Sequence, residues 1–347
     1  MTDRENRLRA ARFEKPESIP LTFNVNKACW HAYPQEALCD LMEGHPRLFP
    51  DFVRPSLPFK PDIAPWRRAG IPYTDSWGCV WKTTEDGITG AVVDNPLSNW
   101  EAFADYASPD PDEHDGWGPI DWKQKQARIR AARQNGQLAT GSLRHGHTFL
   151  TLTYIRGYEN TLLDMADGDV RMQKLLAMIE AFNAGLVERY LKIGVEWFDY
   201  PEDLGMQCGP MVSPRLFREY IKPVYKRLFE PARKSGCVIY MHSDGDIRAL
   251  CDDLFDAGIQ VVNLQDQVNG VEWIRDQLKG RVCIDLDIDR QSITRFGTPR
   301  QIDAHIRRVV EELGQPRGGL MLKHGLYPGV PLANVKALMD AMERYAG

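Results

Sequence analysis

No stretch of 18 apolar residues occurs in this 347-residue chain, so no segment reads as a membrane-spanning helix. No long run of like charge occurs either, and the formal net charge is −5. A basic nucleic-acid-binding face is therefore not expected. Cys29, Cys39, Cys79, Cys208, Cys237, Cys251 and Cys283 stand singly, with no Cys-x-x-Cys pair. An odd, dispersed set argues against a disulfide framework and reads as reduced thiols in a cytoplasm. The opening MTDRENRLRAARFEKPESIP is charged and helical in character, without the apolar core of a signal peptide. No repeat of 20 to 50 residues is visible, which counts against a solenoid. No Gly-x-Gly-x-x-Gly follows any apolar run, which counts against an open dinucleotide-binding sheet.

What the chain does have is length, 43% hydrophobic residues and a recurring beat. That is ample to bury the core of one large domain. Short apolar runs are followed by amphipathic stretches: IPLTFNV (19–25), QLATGSL (137–143), VEWFDY (195–200), CVIYMH (237–242), IQVVNLQ (259–265), RVCIDLD (281–287) and GLMLKHG (319–325). Two of the intervening helical patterns begin Ser213-Pro and Thr298-Pro, an N-cap followed by a first-turn proline, and end near Gly236 and Gly314. Buried strands alternating with helices imply parallel β/α units. The expectation is an α/β fold, a (β/α)8 TIM barrel forming a single domain over 1–347, with the eighth strand not located. The segment WGCVWKTTEDGITGAVVDNPL breaks the beat with alternating apolar positions and a turn-like EDG. It reads as a β-hairpin insertion at about 57–118, ahead of the second recognised strand.

In such a barrel the site lies at the C-terminal ends of the strands. Six runs deliver polar groups there. They are Arg144, His145 and His147; Glu202, Asp203 and Gln207; His242, Asp244 and Asp246; Asn263, Gln265 and Asp266; Asp285, Asp287 and Asp289; and His324. Chance turn chemistry explains any one of these but not six together. Asp246 also suits a helix cap before IRALCDDL, and Gln207 and Asn263 also suit strand-end backbone groups. His145 and His147 alternate, so one of them faces inward, and His147 is counted with the substrate contacts. Arg144, Gln207, Asn263, Gln265 and Asp285 join it. Trp77 and Trp81 lie outside the regular units and could form a lid over an apolar or aromatic substrate. His242, Asp244 and Asp203 carry the expected chemistry. His242, Asp244 and His324 have the composition of a two-histidine, one-carboxylate site for a divalent metal. The His-x-Asp spacing serves one ion only if the strand breaks there, which Gly245 allows. A metal-free hydrogen-bonding site is the alternative.

The segments DSWGCVW (75–81), EDLGMQCGPMVSPRLFREYIKPVYKRL (202–228), HSDGDI (242–247), VVN (261–263), IDLDIDRQ (284–291) with GTP (297–299), and HGLYPGVPLANVKALMDAM (324–342) cover most of the chain from about residue 70 onward. Together they resemble the uroporphyrinogen decarboxylase superfamily, especially its corrinoid-linked methyltransferases. The resemblance implies a (β/α)8 barrel with its site at the C-terminal mouth, and it allows a homodimer. Porphyrinogen decarboxylases carry an arginine-rich N-terminal segment, but FNVNKACWHAYPQEAL here has no arginine. A polycarboxylate needs several cationic partners, so that substrate is not expected. The methyltransferase branch implies a zinc site of His-x-Cys and a later cysteine. Asp244 and His324 stand in those two cysteine places, and the harder donor set suits an oxygen-bearing substrate or another metal.

These observations lead to methyl transfer from a small methoxylated or methylated substrate, in the manner of an O-demethylase, with zinc as the first expected metal. No Asp-x-His-x-x-Gly motif is present, so the corrinoid acceptor is expected on a partner protein. Two other readings stay open. One is a decarboxylase or lyase, with Arg144 anchoring a carboxylate and Asp203 or His242 giving the proton. The other is a barrel that only binds.

Overall fold

A computed structural model describes residues 1–347. In chain order its strands are β1 (Leu21–Val25), β2 (Tyr73–Thr74), β3 (Val80–Lys82), β4 (Ala91–Asp94), β5 (Thr140–Ser142), β6 (Trp197–Asp199), β7 (Gly205–Met206), β8 (Gly209–Pro210), β9 (Val238–Ser243), β10 (Val261–Gln265), β11 (Cys283–Asp287) and β12 (Leu320–Leu326). Seven of them form one curled parallel sheet, ordered β1-β12-β11-β10-β9-β6-β5. These seven are the runs recognised in the sequence, and with the surrounding helices they make a TIM-barrel-like fold. No eighth strand joins β5 to β1. The chain between those two edges leaves the barrel to form the antiparallel sheet β2-β3-β4, the expected insertion, and the helix Trp122–Gln134. No helix is long and apolar enough to cross a membrane.

Side chains alternate across each strand. Val238, Val261, Cys283 and Met321 face inward with Trp197 and Tyr240, and they pack with Leu8, Ala10 and Ala11 of the N-terminal helix Asp3–Arg12 in a cluster of 9 buried residues. That helix plugs the barrel floor. Thr2 and Glu5 start it with a reciprocal capping box. The other face of the strands carries Ile239, Met241, Val262, Leu264, Ile284, Leu286 and Leu322, part of a separate cluster of 73 buried residues beneath the helices. At about 1.5–3 kcal/mol per buried large apolar side chain, that outer layer supplies most of the burial. The upper interior can therefore hold polar groups.

The helices follow the capping signals. Thr298 and Gln301 form a capping box ahead of Pro299–Leu313, and Ser213 caps the turn at Pro214. A wide π-type turn, Phe217–Ile221, then leads into Lys222–Lys234. Asp246 accepts the backbone N–H of Arg248 at 3.1 Å, so it is the turn-capping residue that the sequence allowed.

The insertion is fastened to the open seam by a buried ion pair. Arg144, just past β5, lies 3.0 Å from Asp75, and the two side chains are 2% and 0% exposed. Asp75 also accepts the backbone N–H groups of Trp77 and Cys79 and the indole N–H of Trp81. Arg144 donates as well to the Gly116 carbonyl at 2.7 Å and lies over the Trp117 ring. Nη1 of Arg144 makes both of these bonds, while its Nε and Nη2 are buried without a partner, so the side chain expected among the substrate contacts is placed at the seam with the insertion.

Candidate functional site

The interior-facing positions at the C-terminal ends of the strands form layers. Register pairs His242 with Asn263 and Asn263 with Asp285, and it sets Gln265 and Lys323 on either side of Asp287. Below them, Lys323 donates to the Tyr240 hydroxyl at 2.9 Å and Tyr240 donates to Asp285 Oδ2 at 2.8 Å. Trp197 donates its indole N–H to Asp199 at 2.8 Å.

The orientation of His242 follows from its partners. The Asp285 backbone carbonyl can only accept, so the group 2.6 Å from it is the Asn263 amide nitrogen. Asn263 therefore turns its Oδ1 to His242 Nδ1, also at 2.6 Å, and that nitrogen carries the proton. Nε2 of neutral His242 then presents a lone pair to Asp203 Oδ1 at 3.6 Å and Asp244 Oδ1 at 3.7 Å. His145 Nε2 approaches the same Asp203 oxygen at 3.4 Å. These gaps are long for hydrogen bonds. They match the edge of a tetrahedron with metal–ligand bonds of about 2.1 Å, which is about 3.4 Å.

Two glycines permit this convergence. A Cβ on Gly245, whose φ is +80°, would fall 2.1 Å from the Gly205 carbonyl carbon. Only because both lack side chains do the loops after β6 and β9 touch. The Asp244 N–H then reaches Asp203 Oδ1 at 2.9 Å, and Gln265 accepts the Gly245 N–H at 2.9 Å.

Burial alone would raise the Asp203 carboxyl, but His145, His242 and the Asp244 N–H outweigh it and hold it well below the usual range. Burial pulls His145 down, and Asp203 more than restores it, so this imidazole titrates above its ordinary value. For His242 burial wins and the pKa falls, despite Asp244 and Asp203. Burial pushes Asp287 up to about 7, against the pull of Arg290, and Asp199 up to about 6.

Two cavities open at this mouth. One, of about 470 Å³, is polar and includes Arg67, Tyr240, Asp287 and Lys323 in its wall. The other, of about 700 Å³, is walled by Trp81, Trp117, Tyr154 and Tyr158 and reaches Asp203 and Asp244. His145, His242, Arg67, Arg290 and Tyr327 line both.

Two donor sets lie within 4.8 Å, close enough to share an ion: His145, Asp203 and His242, and His242, Asp244 and Asp287. Arg290 already occupies the second, 2.7 Å from Asp244 and 3.1 Å from Asp287. The first holds no competing cation and is the better fit to a divalent ion. His324 is in neither. It sits on the outer face of β12, against Phe23, with Nδ1 3.1 Å from the Ile288 carbonyl, while its neighbours Lys323 and Gly325 face the cavity. The expected set and this one share only His242, with His145 and Asp203 standing where His324 and Asp244 were expected.

The other expected residues divide. Asn263 and Gln265 hold the site from behind, and Asp285 anchors Tyr240. Trp81 walls the larger cavity. Trp77 is core, against Phe182. Gln207 is exposed at the tip of the β7–β8 hairpin and reaches neither cavity. His147 is buried among Tyr200 and Tyr225 with Nδ1 2.6 Å from the Thr148 hydroxyl, and burial takes it down to about 3. Glu202 beside it caps the helix Phe149–Arg156, accepting three backbone N–H groups and the Tyr225 hydroxyl. Sequence reasoning did not single out Arg290, Arg67, Lys323 or Tyr240.

Three comparisons bear on this geometry. The family model described as uroporphyrinogen decarboxylase (URO-D) matches residues 75–345. The uroporphyrinogen decarboxylase of Thermus thermophilus is 27% identical over 136 residues, 39% of this chain and 38% of that protein. The Homo sapiens enzyme is 24% identical over 146 residues, 40% of this chain and 37% of that one. The matched stretch thus spans well under half the length of these curated relatives. A methyltransferase from Methanosarcina mazei superposes with a TM-score of 0.67 over 99% of both chains at 16% identity, which establishes a common fold.

Proposed function

The chain belongs to the uroporphyrinogen decarboxylase family, whose model spans residues 75–345, and we propose that it is an enzyme moving a methyl group from a small methoxylated or methylated substrate to a corrinoid protein. The observation that carries this reading is the His145–Asp203–His242 set, spaced like the edges of a metal's coordination shell on the wall between the two cavities. The fold shared with a methyltransferase is consistent with it.

An ether or amine methyl is a poor electrophile because its leaving group is basic. His145, Asp203 and His242 would hold a divalent ion, which would supply Lewis-acid polarisation of the leaving heteroatom when bound. The chain's own residues do the rest. Asn263 keeps the His242 proton on Nδ1, so Nε2 stays available as a ligand. Arg290 pairs with Asp244 and Asp287 and so offsets the charge of the second acidic pair beside His242. Trp81, Trp117 and Tyr154 exclude water from the bound substrate. The acceptor arrives on its own protein, because the chain has no Asp-x-His-x-x-Gly motif. The test is incubation of the purified protein with cob(I)alamin and a panel of methoxylated arenes and methylamines, followed spectroscopically. Growth of methylcob(III)alamin supports the reading, and its absence across the panel contradicts it.

A second reading, decarboxylation of a small acid, draws on one observation. The Lys323–Tyr240–Asp285 chain lies at the cavity floor, where a proton would be delivered to the carbon that loses carbon dioxide. Carbon dioxide release without any corrinoid would favour it.

A further inference from the structure

Of the four lysines and arginines lining the polar cavity, only Arg290 is neutralised by protein acids, Asp244 and Asp287. Lys27, Arg67 and Lys323 all line it, and none forms an ion pair. Lys27 reaches only the Asp62 backbone carbonyl, and Lys323 only the Tyr240 hydroxyl. Arg67 donates from Nε to the Thr89 hydroxyl at 2.9 Å, and its two terminal nitrogens make no protein hydrogen bond. The acids lining the same cavity are already engaged, Asp199 by the Trp197 indole and Asp287 by Arg290. Arg67 is placed where the two cavities meet and belongs to both walls. On its other side stand Trp81, Trp117, Tyr154 and Tyr158. A guanidinium with a free fork matches a carboxylate in two-point geometry, and aromatic walls suit a flat ring.

We infer that the ligand of this mouth is an aromatic acid, with its ring in the aromatic-walled cavity and its carboxylate in the polar one on Arg67, Lys27 and Lys323. The inference rests on the reading of these cavities as the substrate site, not on which bond is broken there. An acid group at this point serves as a handle. Its ion pairs form equally in the ground and transition states, so they fix the ring's position beside His145 and His242.

The test is binding without turnover, on the intact protein with no corrinoid present. Para-methoxybenzoate and its neutral amide are titrated separately, with quenching of the cavity tryptophans as the signal and calorimetry as a check. The acid should bind at least roughly tenfold more tightly than the amide. Arg67→Gln should remove most of that preference and leave the amide's affinity unchanged. Lys27→Gln, on an exposed side chain, should reduce it in the same sense. Equal binding of acid and amide, equal weakening of both by Arg67→Gln, or saturable binding of neither would overturn the inference. Acid-selective binding with no methyl transfer would instead remove the methyltransferase reading and leave this one standing. Methyl transfer confined to neutral ethers would do the reverse.

Discussion

Asn263 fixes the tautomer of His242: its Oδ1 sits 2.6 Å from the imidazole Nδ1 because its amide nitrogen is committed to the Asp285 carbonyl. The free Nε2 is a consequence of hydrogen bonding two strands away. Asn263→Leu should lower affinity for a divalent ion about 10–100-fold, measured by competition with a chromophoric chelator. Stability should fall by about 1–3 kcal/mol, because two buried partners lose their bond.

The Arg144–Asp75 pair should be a structural clamp. Arg144→Met leaves Asp75 charged in a buried place, and breaking such a pair costs about 3–5 kcal/mol. Denaturant unfolding should show that loss. Limited proteolysis should cut first within the insertion, at about 57–118.

Gly245→Ala should disrupt the site by pushing the loops after β6 and β9 apart, since the added carbon meets Gly205 and the backbone has a positive φ. Reduced metal retention together with a lower melting temperature is the expected outcome. An unchanged metal content would show that the contact between these loops is dispensable.

His324 should act on stability and not on chemistry. Burial pulls it from the ordinary imidazole value of about 6.5 down to about 4. A buried neutral histidine binds fewer protons than the unfolded chain between those values, so its contribution is complete above pH 6.5 and is lost as pH falls toward 4. The loss is on the order of 3 kcal/mol. In His324→Leu that acid sensitivity should vanish, so the stability gap between wild type and variant should narrow as pH drops through this window.

Seven strands were legible because each is a short apolar run bounded by glycine or polar residues. The eighth was not, because no strand occupies that place and the chain there goes to the insertion. The histidine misplacement has a clear cause. GLMLKHG is buried on both faces, as parallel strands are, so hydrophobic alternation cannot tell inside from outside. Lys323 held the missing signal: a lysine in a buried strand must face the polar interior, which turns its neighbour His324 outward. His145 and His147 lie beyond the end of β5 in a loop turning at Gly146, where the strand period no longer applies. Arg67 and Arg290 come from the insertion and from a loop after β11. Their convergence on His242 is set by tertiary contacts that no local pattern encodes.

The central claim is that His145, Asp203 and His242 hold one divalent ion and His324 does not. Elemental analysis after loading with zinc and exhaustive dialysis tests it most directly, on wild type, His145→Ala, His242→Ala and His324→Leu. The account predicts about one ion per chain in wild type and in His324→Leu, with near-complete loss in the other two. Loss in His324→Leu with retention in His145→Ala would contradict it.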